Sequence, residues 1–171
     1  MSKTTDALDI LINAKVNLDR ATDDNWELGS PTPLCLAAAE GKVDAATKLL
    51  NAKADIDKGD PVGEALRGCE RVRDRNAGML RILIEAKAKL NKIYPSDGAT
   101  PVHIAVGERH EGMLRMLIDA KADINIMDDV EHETPAHTAV WGRNEGMLRI
   151  LMEAKAYINN GDETNGYPVV H

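Results

Sequence analysis

The chain has 171 residues, a formal charge of −7, no Phe, three Tyr and two Trp. The acid excess argues against a general nucleic-acid binder, and no run of about 20 apolar residues offers a membrane span. So little aromatic bulk does not suit one compact core of this size, whereas thin layers of Ala, Leu, Val, Ile and Met need none.

One phrase recurs along the chain. Gly78 to Asn91 returns as Gly112 to Asn125 and again as Gly146 to Asn159, and Lys53, Lys87, Lys121 and Lys155 lie 34 residues apart. A fixed period of this size predicts stacked units that share one long core. The period divides the chain into full units over 20–57, 58–91, 92–125 and 126–159, with partial units over 1–19 and 160–171.

In chain order, Ala7, Leu8, Ile10, Leu11 and Ile12 read as a second helix whose first-helix partner has no room in Met1 to Thr5. An acidic stretch follows. Fifteen residues separate Asn17 from Thr32, against 9 from Asn91 to Thr100, and the extra ones include Trp26 and Leu28. Thr32-Pro33 then predicts a helix start, because the hydroxyl accepts an orphan N–H and the fixed φ of Pro suits the first helical position. Leu34 to Ala39 is its apolar run, and Leu49-Leu50 belongs to the second helix.

The unit 58–91 departs most from the scheme. Its Thr-Pro is expected at Glu64-Ala65, its inter-helix segment is read as two residues longer, and Arg67, Arg71, Arg73 and Arg75 make it basic. Its first helix is expected to be extended or irregular. Glu70 and Asp74 interrupt the arginines, which favours a solvated face over a phosphate site.

The unit 92–125 is the clearest. Pro95-Ser96-Asp97-Gly98 predicts a turn, Thr100-Pro101 a helix start, and Val102 to Val106 a short apolar helix. The second helix is expected from about Gly112 to Lys121, with Met113, Leu114, Leu117 and Ile118 on one face. Arg115 and Asp119, like Arg81 and Glu85 or Arg149 and Glu153, are expected to pair at i, i+4 on the outer side. The unit 126–159 repeats this with Thr134-Pro135 and Met147, Leu148, Leu151 and Met152. Met79, Met113 and Met147 are expected in the core.

The order of turn, short helix, loop and second helix, with Thr100-Pro101-Val102-His103-Ile104-Ala105 and looser copies at Thr134 and Thr32, resembles the ankyrin repeat. The resemblance covers nearly the whole chain and implies an all-α solenoid of helix pairs with β-turn tips. It also implies a structural role for His103 and His137, which hydrogen-bond locally. The family usually places a left-handed Gly after the second helix. Lys53, Lys87, Lys121 and Lys155 stand there instead, so each is expected to carry some backbone strain, partly offset by its charge at a helix C-terminus. The resemblance further marks Asn91, Asn125 and Asn159, each eight residues after a Leu, as positions like those hydroxylated in some ankyrin proteins.

The two cysteines, Cys35 and Cys69, lie on apolar helical faces and read as buried reduced thiols; their spacing suits neither a disulfide nor a metal. With no signal-peptide pattern, the expected location is intracellular, most simply the cytoplasm. No Ser-His-Asp order, no nucleophile with its base and no phosphate loop is present, so neither catalysis nor a cofactor is expected. The pair His132 and His137 is set aside as a metal site because His132 falls in a turn.

The resemblance implies a protein–protein interaction scaffold that binds along the turn tips and the exposed side of the first helices. The tips supply Ser96, Asp97, Ala99, Val130, Glu131 and Glu133. The first-helix ends supply Glu40, Glu108, Arg109, Trp141 and Arg143. Trp141 replaces the small residues Ala39 and Gly107 and suits a hot spot; its plain alternative is to cover a gap beside Gly107. Trp26, in the enlarged loop, is either a second anchor or a shield for the preceding half unit. The alternative function is a structural segment or regulatory arm of a larger protein. Poorly capped ends suit continuation into further repeats or end-to-end self-association.

Overall fold

The computed structural model describes residues 7–14, 17–19, 32–67, 73–94 and 97–156. Among them are nine α-helices and no strand: α1 (Ala7–Asn13), α2 (Pro33–Ala39), α3 (Val43–Asn51), α4 (Pro61–Arg67), α5 (Arg73–Glu85), α6 (Pro101–Gly107), α7 (Glu111–Asp119), α8 (Pro135–Trp141) and α9 (Glu145–Glu153). They fall into two compact units, Met1–Lys89 and Leu90–His171.

The first helices start as their sequences require. Thr32, Thr100 and Thr134 have extended backbones, and each is followed by Pro at the first helical position. The Thr32 hydroxyl accepts from the Cys35 N–H at 3.2 Å. Both helices of a pair then end in the same way. After α6, the Arg109 N–H donates to Val106 O and the His110 N–H to Ala105 O; after α7, Lys121 donates to Ile118 O and Ala122 to Leu117 O. This is the Schellman motif, whose penultimate residue must be left-handed. Lys53, Lys87, Lys121 and Lys155 have φ of 67°, 68°, 66° and 63°. The strained lysines expected from the missing glycines are therefore real. Arg109 (φ 59°) and Arg143 (φ 48°) hold the corresponding place after the first helices, where α2 has Gly41 (φ 61°).

Within the first unit α2 packs on α3 and α4, α4 on α5, and α3 on both α1 and α5. Within the second, α6 packs on α7 and α8, and α9 on α7 and α8. First helices thus stack on first helices and second on second. Within each unit a buried alanine five residues after each cap, Ala37 and Ala65 in the first and Ala105 and Ala139 in the second, lets the first helices pack closely. The second helices bury Met79, Leu80 and Leu83 of α5 in the first unit, and Met113, Leu114 and Leu117 of α7 with Met147, Ile150 and Leu151 of α9 in the second. All three of these methionines are core residues, as expected.

Two expectations are corrected. The first helix of 58–91 is regular. It is α4, and its cap is Asp60-Pro61, not Glu64-Ala65. Asp60 Oδ1 accepts from the Gly63 N–H at 2.6 Å, and Asp60 Oδ2 pairs with Arg67 Nη1 at 2.6 Å. Asp caps a helix as well as Thr does. From Thr32 to Asp60 is 28 residues and from Asp60 to Thr100 is 40, so the overall period survives while the cap moves six residues early. Five residues separate α4 from α5, against three in the other helix pairs, which is the two-residue excess expected. The other four residues of the shift lengthen α5 to 13 residues, against 9 in α3, α7 and α9. The second correction concerns Arg115, which pairs with Glu111 at 3.3 Å rather than with Asp119. An acid four residues before a base is the better orientation on a helix, and Glu111 also sits favourably in the first turn.

The turns between pairs are held by short-range polar contacts. The Tyr94 N–H donates to Ala99 O and the Asp128 N–H to Glu133 O; one tip joins the next through the Asp129 N–H and Gly98 O at 3.0 Å. Gly98 (φ 66°) is required here, because a Cβ would lie 2.7 Å from Val130 Cγ2. At the helix exits, Asp57 Oδ1 accepts from the Lys89 N–H, and Asn91 Oδ1 from the Asp123 N–H at 2.8 Å. Each exit is thereby tied to the one before it.

Two stability results are expected. Leu117→Ala removes a fully buried side chain and is expected to cost about 2–5 kcal/mol in urea unfolding; a loss below about 1 kcal/mol would contradict the buried face. Lys121→Gly is expected to range from neutral to about 1 kcal/mol more stable, because relief of left-handed strain is opposed by the greater freedom of Gly in the unfolded chain. Lys121→Val at the same left-handed position is expected to lose about 1–2 kcal/mol, and equal midpoints for the two variants would show that the backbone there is not constraining.

Candidate partner-binding surface

The second unit brings a tip and a first-helix end together. Glu133 precedes the Thr134 cap, and Trp141 is the last residue of α8, eight residues later. Two helical turns nearly cover that interval, so both lie along one side of α8. The indole N–H of Trp141 donates to Glu133 Oε1 at 2.6 Å, while the ring stays 74% exposed. Beside it, Arg109 Nη2 donates to the Gly142 carbonyl at 2.9 Å. That contact satisfies a carbonyl at a helix C-terminus and ties the end of α6 to the end of α8.

The backbone of Glu133 is fixed as firmly as its side chain. Its carbonyl accepts from the Asp128 N–H at 2.8 Å and lies 2.9 Å from His103 Nε2. His103 Nδ1 accepts from the Thr100 N–H at 3.3 Å and lies 2.8 Å from Thr100 Oγ1. A nitrogen that accepts from a backbone N–H carries no proton, so Nε2 bears it and donates to Glu133 O. His137 makes the same contacts with Thr134. In α2 the position belongs to Cys35, a buried free thiol. Its Sγ takes a hydrogen bond from Thr32 Oγ1 at 3.3 Å and another from the Asp60 N–H at 3.2 Å. Burial pushes the Cys35 thiol up from its ordinary value and pushes the buried His103 ring down from 6.5.

The remaining residues expected at the surface are placed as follows. Asp97 is exposed, and its Oδ1 accepts from the Ala99 N–H at 3.2 Å. Val130 is 63% exposed. Glu131 is exposed, and its N–H donates to Asp128 Oδ1 at 2.7 Å. Glu108 caps the end of α6 and Arg143 follows the end of α8; both are exposed. Glu40 ends α2 in the first unit and pairs with Lys42 on the surface. Ala99 is half-buried. Trp26, Leu28, Ser96, Cys69, Arg71 and Asn159 lie outside the described residues.

Trp141 does not fill a gap over Gly107. A Cβ on Gly107 would meet nothing within 4 Å, so that space is open. His132 (φ 57°) holds the left-handed turn position that Gly98 holds one repeat earlier, which accounts for it without a ligand. Sequence reasoning passed over Leu36 and Met127, both exposed. Periodicity hides them, because Ile104, two periods after Leu36, is buried and Ile93, one period before Met127, is half-buried.

Residues 71–162 match the family model described as ankyrin repeats (3 copies), and residues 32–61 match the single ankyrin repeat model. The first match alone spans more than half of the chain. The chain therefore belongs to the ankyrin repeat family. No curated protein matches it.

The histidine contacts set a pH dependence. A proton on His103 Nδ1 would face the Thr100 N–H, so the folded state holds this ring neutral and the unfolded chain binds the proton more readily. The stabilisation is complete above the ordinary value of 6.5 and is lost as pH falls below it. Unfolding free energy followed from pH 7.5 to 5 is expected to fall more steeply for the wild type than for His103→Gln; parallel curves would refute the assignment.

Proposed function

We propose that the chain is a non-catalytic scaffold that binds a protein partner through its turn tips and the exposed side of its first helices. Ankyrin repeats are in general protein–protein interaction modules. The observation that carries the reading to particular residues is the exposed Trp141, held in place by Glu133. Tryptophan at interfaces contributes far beyond its frequency, and a side chain already fixed loses little freedom on binding. Asp97, Glu108, Arg109, Glu131 and Arg143 complete the proposed surface in the second unit, with Glu40 and Trp26 on the first. The repeat boundaries proposed are 20–57, 58–91, 92–125 and 126–159.

The same reading places the chain in a reducing, cytoplasmic setting, supported by the free thiol of Cys35. None of the described helices is long and apolar enough to cross a membrane. The acidic balance weighs against a nucleic-acid partner.

The test is affinity capture from native extract with tagged wild type beside Trp141→Ala, read by mass spectrometry. A protein retained by the wild type and lost by the variant is the expected result. A partner held equally by both would move the site to other turns, and no partner at all would favour a structural segment of a larger assembly.

A further inference from the structure

We infer that the Trp141–Glu133 corner receives an arginine side chain from a basic segment of the protein partner. The inference rests on the protein-binding reading above and adds the chemistry of the partner. It begins with the indole. Its one polar edge is already used by Glu133 Oε1, so what the exposed ring offers is its π face. Donation of the indole N–H to a carboxylate adds electron density to the ring, and an electron-rich face attracts a cation. No cation of this chain lies over Trp141 among the described residues, although Lys92 sits over Tyr94 at 5.5 Å.

The charge around the corner is one-sided. From 93 to 108 and from 122 to 142, which take in both tips and both first helices of this unit, there is no Lys or Arg. The same stretches hold Asp97, Glu108, Asp123, Asp128, Asp129, Glu131 and Glu133. Among the described residues Glu108, Asp129 and Glu131 form no ion pair; the pair Arg115–Glu111 belongs to α7. The cations that bound these stretches are Lys92, which lies over Tyr94, Lys121 after α7, and Arg109 and Arg143 at the first-helix ends, and the Arg109 guanidinium is engaged with Gly142 O. A partner with positive charge is therefore steered to this side of the unit.

Arginine suits the corner better than lysine. Its flat guanidinium stacks on an indole while its N–H groups point outward in a fixed fork. Only Oε1 of Glu133 is engaged among the described residues, which leaves Oε2 to accept one arm of that fork. Exposed Val130, at the neighbouring tip, adds an apolar surface for the segment that carries the arginine.

The test is selection of random dodecapeptides displayed on phage against the full chain, followed by affinities of the enriched synthetic peptides. Arg-bearing peptides are expected to be enriched. Their binding is expected to fall at least tenfold in Trp141→Ala, and about fivefold in Glu133→Gln, which keeps an acceptor for the indole N–H but removes the charge. It is also expected to weaken as salt rises. Peptides that need Trp141 but carry no arginine, or that ignore Glu133→Gln, would overturn the inference and leave the protein-binding reading standing. Peptides indifferent to Trp141 would overturn the inference and the placement of the surface together. Far-UV circular dichroism guards against misfolding, which is not expected because Trp141 is exposed.

Discussion

The hydrogen bond from His103 Nε2 to the carbonyl of Glu133 joins one repeat to the next, and the second unit's surface depends on it. The ring is locked from the other side by Thr100, which makes Nδ1 an acceptor and leaves the proton on Nε2. One rigid side chain therefore caps its own helix and grips the turn of the following repeat. The grip fixes the backbone of Glu133. The side chain of Glu133 in turn fixes the indole of Trp141. Two contacts thus link a buried imidazole to Trp141, the most exposed large apolar side chain among the described residues of the unit. A helix pair this thin cannot bury its own apolar face, so the contacts that set repeat-to-repeat register also set where surface residues stand.

The helix ends show how sequence departs from the simplest solution without losing the fold. A Schellman motif needs a left-handed residue, and Gly is the unstrained choice. Here Lys and Arg occupy six such places among the described residues. Their charge interacts favourably with the carbonyl end of a helix, and Arg109 goes further by binding the carbonyl of Gly142 on the next first helix. The strain is local, while the two backbone hydrogen bonds of each motif are kept.

Much of this was legible in the residues. The lysine spacing, the Thr-Pro starts and most of the apolar faces of the second helices follow from local chemistry, and the structure places them as expected; Met152, read as part of one such face, is exposed, and Ile150 is buried in its stead. The unit 58–91 departs from its expected start because its cap is Asp60 rather than Thr and stands six residues early, with two of those residues taken up between the helices and four by a longer α5. The clue was present in Ala37, Ala65, Ala105 and Ala139, which keep a constant distance from each cap. A fixed-period comparison cannot see a spacing of 28 followed by 40. The ion pair of Arg115 was misassigned for a different reason: two acids lie four residues away, and only the helix's own geometry selects Glu111.

The sequence by itself determined the repeat, the helix starts at Thr32, Thr100 and Thr134 and the strained left-handed residues, because caps, breakers and apolar periodicity act over a few residues. It also determined that Trp141 would replace a small residue at a first-helix end. Only the tertiary structure decided that the space over Gly107 stays open, that the indole N–H meets Glu133, and that Leu36 and Met127 are uncovered. Those outcomes depend on contacts between neighbouring elements, which turn on stacking distances that no local pattern of residues specifies.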